Sequence, residues 1–179
     1  RAEAAALERL VHHHLARART AARVAASAAS TVAPLAVAEE VASALRRVFD
    51  GRGIVVAVAG DATAQLRVDP QDLTEMLGNL MENACKWARR RVEVSVAVAA
   101  GGVVVGVSDD GPGLTEDERR AALMRGTRFD EATPGTGLGL GIVADLAALY
   151  GGALDLQPSA AGGLAATLRL PGFGGGPGH

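Results

Sequence analysis

Asn79-Leu80-Met81-Glu82-Asn83-Ala84-Cys85-Lys86-Trp87 sets two carboxamides, a carboxylate and an ammonium on one strip of an otherwise apolar helix. Asp69 is a good N-cap, Pro70 suits a first turn, and Leu73, Met76, Leu77, Leu80, Ala84 and Trp87 recur at helical spacing. At about 100° per residue, Asn79, Glu82, Asn83 and Lys86 fall within an arc of roughly 100° beside that apolar stripe. Asparagine is a poor helix former whose side chain competes with the backbone. Two of them one turn apart therefore suggest a ligand, and the residue types suit a phosphate and a metal. A partly solvated helix with local hydrogen bonds would show the same stretch, so residues beyond Trp87 must decide between the two.

Strand-like Val103-Val104-Val105-Gly106-Val107 runs into Asp109-Asp110-Gly111-Pro112-Gly113, and further on comes Pro134-Gly135-Thr136-Gly137-Leu138-Gly139-Leu140-Gly141. The first glycine cluster ends a buried strand, where missing side chains let backbone approach a flat ligand. The second opens a helix expected over 138–150, whose first-turn N–H groups and dipole favour an anion such as phosphate. Either cluster alone is also what an ordinary tight turn contains. No Gly-Lys-Ser/Thr comes after it, so this is not a Walker loop, and no strand immediately precedes Gly135, so the dinucleotide fingerprint fails as well.

Taken in order, Asn79-x-x-x-Asn83-Ala-x-Lys86-Trp87, Asp109-x-Gly111-x-Gly113, Arg125-Gly126 with Phe129, and Gly135-x-Gly137-x-Gly139-Leu140 resemble the N, G1, F and G2 boxes of sensor histidine kinases. The catalytic ATP-binding domain of those proteins belongs to the gyrase, Hsp90, histidine kinase and MutL superfamily. The resemblance covers about residues 35 to 171, and the lid pattern from Arg125 to Gly137 is similar to that of the PhoQ-like branch. It implies an α/β fold, a two-layer sandwich of a mixed β-sheet and α-helices of the Bergerat type. It also implies ATP and Mg2+ as cofactors.

Carried over residue by residue, the resemblance implies that Asp109 accepts a hydrogen bond from the adenine amino group while Gly111 and Gly113 let the chain pass the base. Trp87 stands where the family usually has Tyr or Phe, and its ring can line the adenine pocket or simply fill core. Asn83 matches the magnesium ligand, a carboxamide oxygen being suited to a hard cation that keeps most of its water. Asn79 and Lys86 would hold triphosphate oxygens, with Gly135, Gly137, Leu138, Gly139 and Leu140 enclosing the phosphates. Glu82 matches the acidic residue that polarises the attacking imidazole, although a surface carboxylate would look the same. Residues 114–134 read as an ATP lid from which Arg125 and Arg128 could reach the phosphates as guanidinium forks. Phe129 would pin the lid, but it falls later than the usual Phe of its box.

The remainder fits one catalytic domain with a helical leader. With 179 residues, 49% of them hydrophobic, there is material for one good core. No apolar run approaches about 18 residues, so no transmembrane span is expected, and no signal peptide opens the chain. A single cysteine excludes an internal disulfide and agrees with a reducing compartment, Cys85 reading as structural. A net charge of −2 with interspersed signs gives no support for nucleic-acid binding. Residues 1–33 form an Ala-rich amphipathic leader with Leu7, Leu10, Val11 and Leu15 at steps of three to four, where the family has part of its dimerisation and phosphotransfer hairpin. The catalytic domain is placed at 34–171, and the glycine-rich tail 172–179 is expected to be disordered. Within the domain, helix 38–49, strand 53–59, a short strand at 66–68, a hairpin of 91–99 with 102–108, and strands 153–157 and 163–170 are expected.

His12-His13-His14 point three ways around a helix and so cannot jointly chelate a metal. His14 is followed by Leu15-Ala16-Arg17, without the acidic neighbour of the family's acceptor histidine. Leu164 and Ala166 replace a Thr and a Phe that the family often writes into its last strand, a change expected to touch core volume more than chemistry. The sequence thus reads as a cytoplasmic ATP-binding domain of an inner-membrane sensor, homodimeric at full length. It would phosphorylate a histidine on a phosphoacceptor helical domain of the same protein for relay to a response regulator. Two other readings use the same residues: a non-enzymatic ATP-sensing dimerisation module, and an ATPase of the same superfamily with Glu75, one turn before Asn79, activating water.

Overall fold

Valine alternates with small or polar residues through 91–109, which sends every second side chain to one face of a strand. The computed structural model describes residues 31–124 and 138–172 and builds five strands there: β1 (Val55–Gly60), β2 (Arg91–Ala99), β3 (Gly102–Asp109), β4 (Ala153–Pro158) and β5 (Leu164–Pro171). They pair in the order β1-β2-β3-β5-β4, β1 parallel to β2 and the other pairs antiparallel, so the sheet is mixed as expected. The hairpin of β2 and β3 turns at Ala100-Gly101, with Gly101 at φ +90°, a region glycine enters without strain. Residues 1–30 with His12, His13 and His14, residues 125–137 with Arg125, Arg128, Phe129, Gly135 and Gly137, and residues 173–179 lie outside the described residues.

Among the described residues four helices, α1 (Pro34–Val48), α2 (Pro70–Trp87), α3 (Glu116–Met124) and α4 (Leu138–Leu149), accompany the sheet. Val92, Val94, Val96, Val103, Val105, Val107 and Leu168 form its covered face, each at most 3% exposed. Arg91, Glu93, Ser95 and Ala97 on the opposite face are exposed. The result is the expected two-layer α/β sandwich, with α2 packed between α1 and α4. Leu73, Met76, Leu77, Leu80 and Met81 of α2 are buried, and Cys85 beside them is inert packing, its thiol pushed up to about 11 by burial. Trp87 departs from the apolar stripe and is 53% exposed, which removes the reading of this ring as core.

Other boundaries differ for local reasons. Helix α1 begins at Pro34 rather than 38, because Ala33 at the N-cap offers no capping side chain to announce it and proline serves as the first helical residue. The strand expected at 66–68 shrinks to isolated bridges from Leu66 to Val32 and to Gly172. Residues 114–124 contain a helix the sequence reading did not mark. Thr115 and Glu118 form a capping box, the Glu118 carboxylate accepting from Thr115 N at 2.8 Å and the Thr115 hydroxyl from Glu118 N at 3.3 Å.

Two arginines tie α1 and the turn after it to the body. Arg46 forks onto the outward carbonyl of Val56 (Nε 3.0 Å, Nη2 2.8 Å), which blunts the free edge of β1. Arg52, with Phe49 under its guanidinium, donates to Cys85 O (3.0 Å), Lys86 O (2.9 Å) and Ala88 O (3.1 Å), satisfying carbonyls that the end of α2 leaves unpaired. Arg52→Ala should therefore lower stability by about 1 to 2 kcal/mol in urea unfolding. Arg52→Lys should recover little of it, because an ammonium cannot reproduce the three-way fork. A lysine variant as stable as the parent would show that charge alone, not the fork, holds this helix end.

Candidate functional site

Strand alternation places Asp109 on the covered face at the end of β3 and turns Asp110 the other way. Asp109 is 4% exposed, and its Oδ1 accepts from Gly111 N at 2.8 Å and Leu164 N at 3.3 Å. Among the described residues no donor reaches Oδ2. Burial pushes this carboxyl above the usual range, opposed by the two N–H donors and reinforced by the charge of Asp110. Asp110 has a structural task. It collects the N–H groups of Arg89 (2.8 Å), Arg90 (3.0 Å) and Arg91 (3.1 Å), and these bonds outweigh its own desolvation and hold its pKa low.

Glycines make room around Asp109. A β-carbon on Gly111 would stand 2.4 Å from Trp87 O, and one on Gly163 would stand 2.1 Å from Asp109 Oδ1. Gly113, at φ +71°, packs against the backbone of Gly162 and Gly163. This end of the site thus joins the C-terminus of α2, the end of β3 and the turn before β5. Trp87 stands beside this turn with its ring half free.

One to two turns back along α2, Asn83 is half-buried and its carboxamide has no hydrogen bond among the described residues. Asn79 donates from Nδ2 to Glu75 O at 2.8 Å, and its Oδ1 lies where a β-carbon on Gly139 would come within 2.8 Å. The N-terminal turn of α4 therefore abuts the polar strip. Lys86 and Glu82 pair with each other at 2.9 Å, both about half exposed. Such an exposed i,i+4 pair is worth only about 0.5 kcal/mol, so either partner is cheaply released to a ligand. Leu140 is 3% exposed, a core side chain, and Leu138 opens α4.

The described residues hold no group of three His, Cys, Asp or Glu side chains fit to bind a metal. A free carboxamide such as that of Asn83 suits a hard cation whose other ligands are phosphate oxygens and water. The structure brings Asn79, Glu82, Asn83, Lys86 and Trp87 onto one flank of α2, with Asp109, Gly111 and Gly113 at one end and Gly139 near the middle. Arg125, Arg128, Gly135 and Gly137 lie outside the described residues. Sequence reading missed Leu164 and Gly163. Leu164 and Ala166 are indeed buried packing residues, at 6% and 5% exposure, but Leu164 also reaches the site through its N–H. Gly162-Gly163, a second glycine turn facing the first, was the available signal.

Residues 68–172 match the family described as Histidine kinase-, DNA gyrase B-, and HSP90-like ATPase. The chain is 47% identical over 125 residues to the sensor protein kinase CarS of Pseudomonas aeruginosa, covering 70% of this chain and 28% of that protein. It is 31% identical over 132 residues to the virulence sensor histidine kinase PhoQ of Salmonella typhimurium, covering 74% and 27%. The chain thus spans little more than a quarter of the length of these curated relatives. The crystal structure of the ATP binding domain of PrrB from Mycobacterium tuberculosis superposes with a TM-score of 0.67 at 29% identity, covering 80% of this chain and 96% of that domain. With its mixed sheet, its polar strip on α2 and its glycine turns, the chain belongs to the histidine kinase-, DNA gyrase B- and HSP90-like ATPases, and it resembles the ATP-binding domains of sensor histidine kinases.

Proposed function

We propose that this domain holds Mg-ATP along α2, base at Trp87 and phosphates at Asn79, and gives the γ-phosphoryl group to a histidine on a separate helical domain of the same protein. The observation that carries the reading is Asp109, a carboxylate 4% exposed with Oδ1 committed to two backbone donors and Oδ2 left for an exocyclic amino group. Trp87 and Asn79 are eight residues apart, about 12 Å along a helix axis. An extended nucleotide lying on this flank meets each group in the order of its own parts. Asn83 takes the magnesium ion, which neutralises phosphate charge, and Asn79 and Lys86 hold phosphate oxygens. Glu82, released from Lys86, orients and polarises the acceptor imidazole. Arg125 and Arg128 stand by sequence as the guanidinium donors that offset developing charge. A response regulator is the next acceptor, and the full-length protein is a homodimeric inner-membrane sensor with this domain on the cytoplasmic side.

Isothermal titration tests the base and metal assignments. Asp109→Asn should weaken ATP binding by about 1 to 3 kcal/mol. Asn83→Ala should chiefly remove the magnesium dependence. Parent-like ATP binding by Asp109→Asn would sink the adenine assignment.

Acid titration gives an independent check. The folded pKa of Asp109 is raised, so the stability it affects is fully present below the unfolded value, about 3.9, and lost as pH rises through the folded value. Base binding has the opposite sign, because an acceptor at Oδ2 requires the ionised carboxylate. Adenosine, which has no phosphate to titrate, should lose affinity as pH falls toward about 4, starting above the ordinary carboxylate range. Asp109→Asn should flatten that profile. A parent profile flat down to pH of about 4 would contradict the role.

Phosphoryl transfer needs a nucleophile held in line with the γ-phosphate, and positioning supplies most of the rate. None of His12, His13 and His14 carries an acidic neighbour. The chain alone is expected to bind Mg-ATP without labelling itself, and to label a helical acceptor hairpin supplied in trans. Base-stable, acid-labile label on this chain, lost in a triple His→Ala variant, would overturn that expectation.

A further inference from the structure

Helix α4 is held mainly by apolar packing of Leu140, Val143, Leu146 and Ala147, and such packing is non-directional. It fixes which face is buried but only weakly fixes position along the helix axis. One side chain at its end does more. Gly151, at φ +72°, closes the helix in a Schellman turn, with Gly151 N donating to Ala148 O at 3.0 Å and Gly152 N to Ala147 O at 2.8 Å. This fixes Tyr150 at the C-cap. Its hydroxyl donates to Asp72 Oδ2 at 2.6 Å and accepts from Asp69 N at 3.1 Å. Both partners belong to the start of α2, and Asp72 is 2% exposed. Among the described residues no other side chain of α4 makes a hydrogen bond or ion pair. Burial, then the bond to Asp72, raises the phenol's pKa, so it stays a protonated donor throughout the ordinary pH range.

We propose that Tyr150 is a positioning residue for the triphosphate end of the site, setting the axial register of α4 on α2 so that the N-terminal turn of α4 meets Asn79. The two helices run antiparallel, with the Tyr150 tie at one end and the Gly139 approach to Asn79 at the other. Gly139 and Tyr150 are eleven residues apart, about 16 Å along the helix, so a rigid helix carries the constraint from one to the other. A shift at Tyr150 would move the amides of 138–140 away from the phosphates and leave the Asp109 end untouched. This inference rests on reading that turn as the phosphate site.

The test compares Mg-ATP with adenosine, titrated into the full chain and its variants. Tyr150→Phe should raise the Kd for ATP about five- to tenfold, the worth of one ordinary hydrogen bond, while adenosine binding stays within about twofold. Asp72→Asn keeps the shape but offers the phenol a weaker neutral acceptor, and should cost ATP about two- to threefold on the same pattern. It also serves in place of Tyr150→Phe should that variant not fold. Unchanged ATP affinity in both variants, or equal losses for ATP and adenosine together with a fall in Tm, would overturn the proposal. A parent that bound neither ligand would remove the nucleotide reading itself. Asp109→Asn impairing adenosine while Tyr150→Phe leaves ATP unchanged would remove only the role of Tyr150.

Discussion

Helix α2 is buried against α1, α4 and the sheet, and that burial leaves it a single wet flank. Leu73, Met76, Leu77, Leu80 and Met81 are at most 2% exposed. Turning the helix by one residue, about 100°, would expose several of these at roughly 1.5 to 3 kcal/mol each and drive Asn83 or Lys86 into the core. The orientation of the polar strip is thus set by apolar area rather than by its own bonds. Asn83 can stay without a partner, and Glu82 and Lys86 can rest on each other, because nothing is asked of them structurally.

The polar ties around α2 act on its ends. Asp69 caps its start through Gln71 N and Asp72 N, and Arg52 collects carbonyls at its finish. Asp110 gathers the amides of the chain that leaves it, so the segment linking α2 to β2 is fixed against the turn that carries Asp109. Groups that would otherwise need water are satisfied by side chains from other elements, which couples the helix ends to the glycine turns.

Much of this was legible in the sequence because it is periodic. The stripe of α2, the valine alternation of β2 and β3, and the cap at Asp69 each have a short-range signature, and the elements form where it stands. Helix α1 hid its start because Ala33 carries no capping group, and Leu66 lacked strand neighbours, so it makes bridges only. The Thr115-x-x-Glu118 box was present but read as lid polarity. What sequence could not supply were partners far apart in the chain: Arg52 with Cys85, Asp72 with Tyr150, Asp109 with Leu164. Each joins residues whose local context gives no reason to meet, and only the packed sheet and helices bring them within reach. Trp87 shows the converse, since apolar periodicity counted it in the stripe and the helix end left it half out.

Adjacent carboxylates at the end of β3 have unrelated tasks, and their assignment depends solely on which side of the pleat each occupies. The two therefore behave as a phase mark on the strand. Deleting a single residue between Val103 and Ser108 would bring Asp110 to the buried place of Asp109 and leave the three amides facing glycine, while inserting one would bring Asp109 to the amides and leave Ser108 in the buried place. Net charge would not change and hydropathy hardly at all. Length is thus the guarded property of β3, since a variant with the right residues out of step by one would lose either the anchor of β2 or the buried carboxylate beside Gly111.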